Sequence, residues 1–224
     1  MQALEKKGRT TQEERRRDAK RRLRDAALYL FAQEGFDAVT LGAISLKAGF
    51  SRTLAQYHYP DKEALALELL RDRILRDNHI DLVDIAPDKS PEQAWHALMT
   101  HLKTLKTYYV EMHAGEQPNI AANGEMAIHA AAFISKDEEF RACVEEQSRD
   151  QVSRIEKLLD MSRRGGLIAD ATNVHALAIL YVQSIWSLAQ TLYTSPFARH
   201  SIGQSFDQLA MLLEGLRCDS EEQI

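Results

Sequence analysis

Arg52, Thr53 and Gln56 place a guanidinium, a hydroxyl and a carboxamide within five consecutive residues, Arg-Thr-Leu-Ala-Gln. In a DNA major groove, Arg can pair bidentately with guanine and Gln with adenine, each pair giving about 1–3 kcal/mol of discrimination. Such side chains read bases only if a short helix carries them into the groove, and the flanking sequence supplies one. Thr40 can cap a helix over 41–47, with Leu41, Ile44 and Ala48 spaced for one buried face. Gly49 provides a residue that accepts positive φ at a sharp turn, and Ser51 can cap the next helix. Pro60-Asp61 ends that helix, and Asp61 caps a third. Residues 35–63 therefore read as a helix–turn–helix, a unit whose second helix enters a major groove with its N-terminal residues.

Other chemistry finds less support. The chain has eight His, but His96 and His101 are five apart and share no helix face, while His113 and His129 flank an irregular stretch. There is no Cys-x-x-Cys or His-x-x-x-His pair, no phosphate loop and no nucleophile elbow, so no metal or cofactor is expected and the chain does not read as an enzyme. Apolar and aromatic side chains with a few polar tips could line a small-molecule pocket. Trp95, Met99, Leu102, Tyr109, Met112, His113, His129, Phe133, Tyr181 and Trp186 are the candidates, with Tyr108 and Ile128 beside them. The same stripes at helical spacing also serve as plain core.

Composition favours an all-α protein: few Gly, five Pro and abundant Ala, Leu, Glu and Arg, with 45% hydrophobic residues for a core. No apolar run is long enough to span a membrane, and two cysteines cannot make a disulfide framework, so a cytoplasmic setting is expected. The net charge of −5 hides a strong asymmetry. Residues 1–24 hold ten Lys/Arg and four Asp/Glu, which is +6; residues 1–62 sum to +5, leaving −10 on the rest. A basic head on an acidic body concentrates phosphate attraction at one end.

The remaining signals lay out about nine helices without strands or repeats. Residues 1–10 read as a mobile arm, and Thr11 with Glu14 is a capping box opening a helix to Gly35. A helix from Lys62 fades near Ile85-Ala86-Pro87, and Ser90-Pro-Glu-Gln93 opens another towards Met112. Residues 114–134 are broken by Pro118 and Asn123-Gly124. Ser135 with Glu138 opens a helix to Gly165-Gly166, a nearly all-apolar helix spans 172–193, and Ser201 with Gln204 starts the last one. The helices over 136–164 and 172–193 are expected to pair across a two-fold axis in a homodimer. A division at residue 62 separates arm and helix–turn–helix (1–62) from a regulatory and dimerisation body (63–224).

From Arg22 to Leu65 the order of signals resembles the tetracycline-repressor (TetR) family. The likeness lies in LRDAALYLFAQEGFDAVT (23–40), AGFS (48–51) and YHYPDKEAL (57–65), the last similar to Tyr-His-Phe-x-x-Lys-Glu-x-Leu. Thr53, Leu54, Ala55 and Gln56 stand where the family usually has Gly-Thr-Leu-Tyr, and Tyr59 replaces a Phe. The resemblance implies phosphate contacts from Thr40, Ser51, Tyr57, His58 and Lys62, whose hydroxyls and helix-end positions suit anionic oxygen. Thr40 and Ser51 would serve as caps without DNA, and Tyr59 reads as core. It also implies a dimeric repressor on a palindromic operator, released by a small apolar ligand through the helix that starts at Asp61. A DNA-binding regulator without such a switch, or a helical enzyme or metal-binding protein, are the alternatives.

Overall fold

The computed structural model describes residues 11–77, 89–112, 120–194 and 201–218. Among them are nine helices: α1 (Gln12–Glu34), α2 (Leu41–Lys47), α3 (Leu54–His58), α4 (Lys62–Asp77), α5 (Pro91–Met112), α6 (Ile120–Ile134), α7 (Glu138–Arg164), α8 (Val174–Thr194) and α9 (Ile202–Glu214). The described residues contain no strand, only an isolated bridge between Ile168 and Arg217. The all-α expectation holds. The chain forms two compact units, one up to Leu69 with Ile120–Ala131, the other Leu70–Asn119 with Ala132 onward. Helices α4 and α6 thus contribute residues to both.

In the first unit α1 is started by the expected capping box: the Thr11 hydroxyl accepts from Glu14 N–H, and Thr11 N–H donates to the Glu14 carboxylate. Its buried stripe is Leu23, Ala26, Ala27, Leu30 and Phe31, residues three and four apart on which α2 packs. Phe36, just past α1, closes onto Phe31 with ring centroids 5.0 Å apart.

Helix α6 runs unbroken through Asn123-Gly124, against the expected break. A Cβ on Gly124 would lie 2.2 Å from the Leu28 carbonyl oxygen, so α6 meets α1 backbone to backbone at this point. Glycine is there for proximity, and tertiary packing overrides its poor helix propensity. Pro118, residues 1–10 and the fading end near residue 85 lie outside the described residues.

In the second unit α7 packs on α5 and α8, and α9 packs on the same two helices. Leu98, Leu102, Leu158, Tyr181 and Phe206 are among the fully buried side chains there. One expected helix start moves, and another lacks its cap bond. The Ser135/Glu138 box does not form, because Asp137 takes the cap and accepts from Phe140 N–H, while Ser135 accepts from Asp137 N–H. Ser201 occupies the cap position of α9 without a side-chain cap bond. Ser90 and Gln93 make their reciprocal bonds as expected, and Asn173 caps α8. Helix α7 buries Phe140, Val144, Ile155, Leu158 and Leu159, and no large apolar side chain is exposed along it among the described residues. Exposed ones in this unit include Ile179 and Leu180 on α8 and Met211 and Leu212 on α9, with Val110, Phe133 and Ile134 on α5 and α6.

Candidate nucleic-acid interface

Three local devices set the shape of the reading head. Thr40 caps α2, its hydroxyl accepting from Ala43 N–H at 3.2 Å. The helix then closes in a paired backbone motif: Phe50 N–H reaches Ser45 O and Gly49 N–H reaches Leu46 O, with Gly49 at φ 78°. Asp61 caps α4 by accepting from Ala64 N–H at 2.7 Å. Between them α3 is a five-residue helix whose inner face is Ala55, followed by Tyr59, both buried.

Ser51 does not cap α3. Thr53 holds the cap position with a helical backbone and no side-chain cap bond, and the Ser51 and Thr53 hydroxyls approach each other at 3.4 Å. Leu54 N–H bonds back to Ser51 O, so the chain is already turning before the helix begins, and the Ser51 side chain no longer faces the orphan amides.

Sequence reasoning missed what holds α3 onto α2. Ser45, fully buried, donates to Leu41 O at 3.0 Å and accepts from Ala55 N–H at 2.9 Å. The first bond follows an i, i+4 pattern that a serine beside a buried stripe suggests. The second joins residues ten apart and leaves no mark in the local sequence.

The outer face of this unit carries Arg52, Thr53, Gln56 and Tyr57, all exposed, Tyr57 at 81%. Thr40 and Ser51 are exposed beside them. His58 is half-buried and meets the Tyr57 ring edge-on. Burial first, then the charges of Arg16 and Lys20, push its pKa below the usual histidine value, against an opposing pull from Glu68. The lowered pKa favours the neutral imidazole, which can donate one hydrogen bond.

Lys62 is placed differently from a simple phosphate ligand. Its ammonium donates to Phe36 O at 2.9 Å and Asp37 O at 3.1 Å, and lies 4.6 Å from the Phe36 ring centroid. Two of its three N–H donors are thus spent on the loop after α1. Several other cations of the head are also tied internally. Lys20 pairs with Glu68 at 2.8 Å, Arg24 approaches the same carboxylate at 3.7 Å, and Lys47 lies over the Tyr29 ring at 3.6 Å. Glu68 also accepts from Tyr59 OH at 3.1 Å, which joins α1, α4 and the residue after α3 in one cluster.

Six of the pocket candidates, Trp95, Met99, Leu102, Tyr109, Tyr181 and Trp186, lie in or against one core of the second unit. Trp95 and Tyr109 both lie on α5, fourteen residues or about 21 Å apart along the helix axis. Trp95 is buried and donates to Glu214, whereas Tyr109 stacks on Phe206 with centroids 6.0 Å apart. Leu102 and Tyr181 are buried in the same core, with Met99 and Trp186 packed against it. His129 is buried in the first unit, as is Ile128, and Phe133 is half exposed in the second. His113 and the Met112 side chain lie outside the described residues. Tyr181 OH meets His101 Nδ1 at 2.9 Å, and the half-buried Trp186 donates to Gln151 at 3.0 Å. Burial lowers the His101 pKa to about 4, so this imidazole is neutral.

A capped first helix, a glycine turn and a short helix packed on α2, which itself packs on α1, define a helix–turn–helix. Residues 23–69 match the family model of bacterial regulatory proteins, tetR family. Among curated proteins it is 31% identical over 83 residues to the uncharacterized HTH-type transcriptional regulator TtgW of Pseudomonas putida, which is 37% of this chain and 59% of that protein. The match thus spans less than two thirds of that relative. The fold as a whole is similar to a transcriptional regulator of Saccharomonospora viridis in complex with choline, with TM-score 0.68 and 16% identity over 91% of this chain and 99% of that one. It is also similar to FadR of Bacillus subtilis in complex with stearoyl-CoA, with TM-score 0.63 and 13% identity over 86% and 96%. No helix among the described residues is long and apolar enough to cross a membrane.

Proposed function

We propose that this chain is a homodimeric transcriptional repressor that binds an inverted-repeat operator and is released by a small, largely apolar ligand. The observation that carries the DNA reading is the α3 segment. Arg52, Thr53, Gln56 and Tyr57 are exposed together, while Ala55 and Tyr59 anchor the same segment from behind. Arg52, Thr53 and Gln56 read base edges, and Thr40, Ser51, Tyr57 and His58 meet phosphates. Lys62 supports them chiefly by holding the start of α4 to the loop after α1.

The dimer face is better supplied by α8 and α9 than by α7 and α8. Leu180 at 64% and Leu212 at 70% exposure flank an open groove of about 690 Å³, lined also by Leu188, Leu209, Gln183 and Gln208. An apolar strip of this kind with polar edges suits a self-complementary two-fold contact. For the effector, Tyr181 and Trp186 offer aromatic surface, with His101 and Gln151 as polar groups, and the relatives bound to choline and stearoyl-CoA support a ligand-binding body. Helix α4, which contributes residues to both units, is the element through which ligand and DNA binding would be coupled, reciprocally.

Selection of bound sequences from random duplex DNA tests this. An enriched inverted repeat, bound by one dimer, is the expected result. Recovery of no preferred sequence would refute the DNA reading. Retention of full operator affinity in the presence of every tightly bound apolar ligand would favour a regulator without a small-molecule switch.

A further inference from the structure

We propose that Arg22, on α1, is a positioning residue for base reading, fixing the turn that aims α3 and so setting discrimination rather than phosphate affinity. The proposal rests on the DNA-binding reading above. Its basis is the meeting of one guanidinium with three consecutive residues of the turn. The backbone pairs from Phe50 and Gly49 satisfy the carbonyls of Ser45 and Leu46, but not that of Ala48 at the negative end of α2. Arg22 donates to Ala48 O at 2.5 Å. Its guanidinium carbon lies 4.3 Å from the Phe50 ring centroid. A Cβ on Gly49 would stand 2.8 Å from the same guanidinium nitrogen, so the glycine serves the close approach of Arg22 as well as its own positive φ.

Ser51, Arg52 and Thr53 follow the turn directly, and the direction in which the chain leaves Phe50 fixes where they point. Helix α3 spans only five residues and its cap position carries no side-chain bond, so it has little internal means of holding that direction. Arg suits the task because its planar head donates in the plane while stacking on a ring with its face. Lys keeps the charge but cannot do both. The Arg22 side chain stays solvent-accessible, which makes a direct phosphate contact the rival explanation.

The experiment compares the full chain with Arg22→Lys and Arg22→Gln. Affinity for the selected operator and for a scrambled duplex of equal length is measured over a salt series, with thermal unfolding of each variant. For Arg22→Lys, the expected result is about a tenfold fall in operator preference, the size of one charge-assisted hydrogen bond, with affinity for the scrambled duplex and its salt slope unchanged. Arg22→Gln, which removes the charge, should lose the same preference. Equal loss on both duplexes, with the salt slope reduced by about one in Arg22→Gln, would overturn the proposal in favour of a phosphate contact. A variant that melts earlier but keeps full preference would overturn it in favour of a purely structural role. Absence of any preference in the unaltered chain would instead refute the DNA-binding reading on which the proposal rests.

Discussion

Replacing Gly124 by Ala sets two opposing effects against each other. Alanine is the better helix former, and in an open helix interior the change would stabilise by about 1 kcal/mol. Here the added methyl would sit 2.2 Å from Leu28 O and 2.8 Å from Leu28 C and Cα. Carbon–oxygen contacts of this kind normally lie at about 3.3–3.6 Å. The two helices must therefore separate by roughly 1 Å at the crossing, and both obstructing groups are backbone, with no rotamer to yield. Overpacking of this sort costs about 1–3 kcal/mol even where side chains can adjust. The clash should win, leaving a net loss of about 1–2 kcal/mol. At roughly 2–4 °C per kcal/mol for a chain of this size, Tm should fall by about 2–8 °C, measured by circular dichroism at 222 nm. A Tm equal to or above that of the unaltered chain would show that α6 does not approach α1 closely at this position.

Three further outcomes follow from the same geometry. Ser45→Ala strands the Ala55 amide inside the reading head, so stability should fall by about 1–3 kcal/mol and operator affinity with it; unchanged values for both would remove Ser45 as the tie between α2 and α3. His101 is held neutral down to about 4 by burial but titrates near 6.5 in an unfolded chain, so the unfolded state takes up the proton first as pH falls. Its contribution is complete above pH 6.5, drains away between 6.5 and about 4, and totals about 3 kcal/mol. Denaturant midpoints of His101→Gln across that window should be flatter than those of the unaltered chain, and an identical pH profile would contradict the assignment. Leu180→Glu or Leu212→Glu should yield monomers in sedimentation, since each would place a charge in the apolar strip of α8 and α9, and an intact dimer would exclude that face.

What the sequence made legible were the features whose physics is local. Thr11, Thr40, Asp61 and Ser90 each bond to an amide three residues on, and a spacing of three is visible in a string of letters. Ser51 and Ser135 failed as caps for an equally local reason. A neighbour, Thr53 or Asp137, took the cap position, and rivals two residues apart carry nearly equal preference. The buried stripe of α1 was legible from its periodicity. The break expected at Asn123-Gly124 was not there, because the reason for that glycine is a carbonyl on a helix about a hundred residues earlier in the chain. The bond from Ala55 to Ser45 was hidden in the same way. The aromatic stripe of α5 shows the limit most plainly: helical spacing places Trp95, Leu102 and Tyr109 facing inward, but spacing cannot tell a lining from a filling.

Charge shows a subtler division. The excess of +6 over residues 1–24 and the basic residues that follow read as a surface for phosphates, yet many of those heads are engaged within the fold. The partners matter more than the engagement. Lys20 and Arg24 face the Glu68 carboxylate and are partly neutralised by it. Arg22, Lys47 and Lys62 face carbonyls and aromatic rings, which immobilise a cation without cancelling its charge. Their field still reaches DNA across a Debye length of about 10 Å, so steering of the encounter is preserved. Contact is another matter, because a head already bound to a carbonyl displaces fewer counterions from a phosphate. On the proposed DNA-binding reading, a chain built this way would attract DNA in proportion to its charge count but grip it with a smaller number of groups. The gap between the two is occupied by cations that shape the reading head.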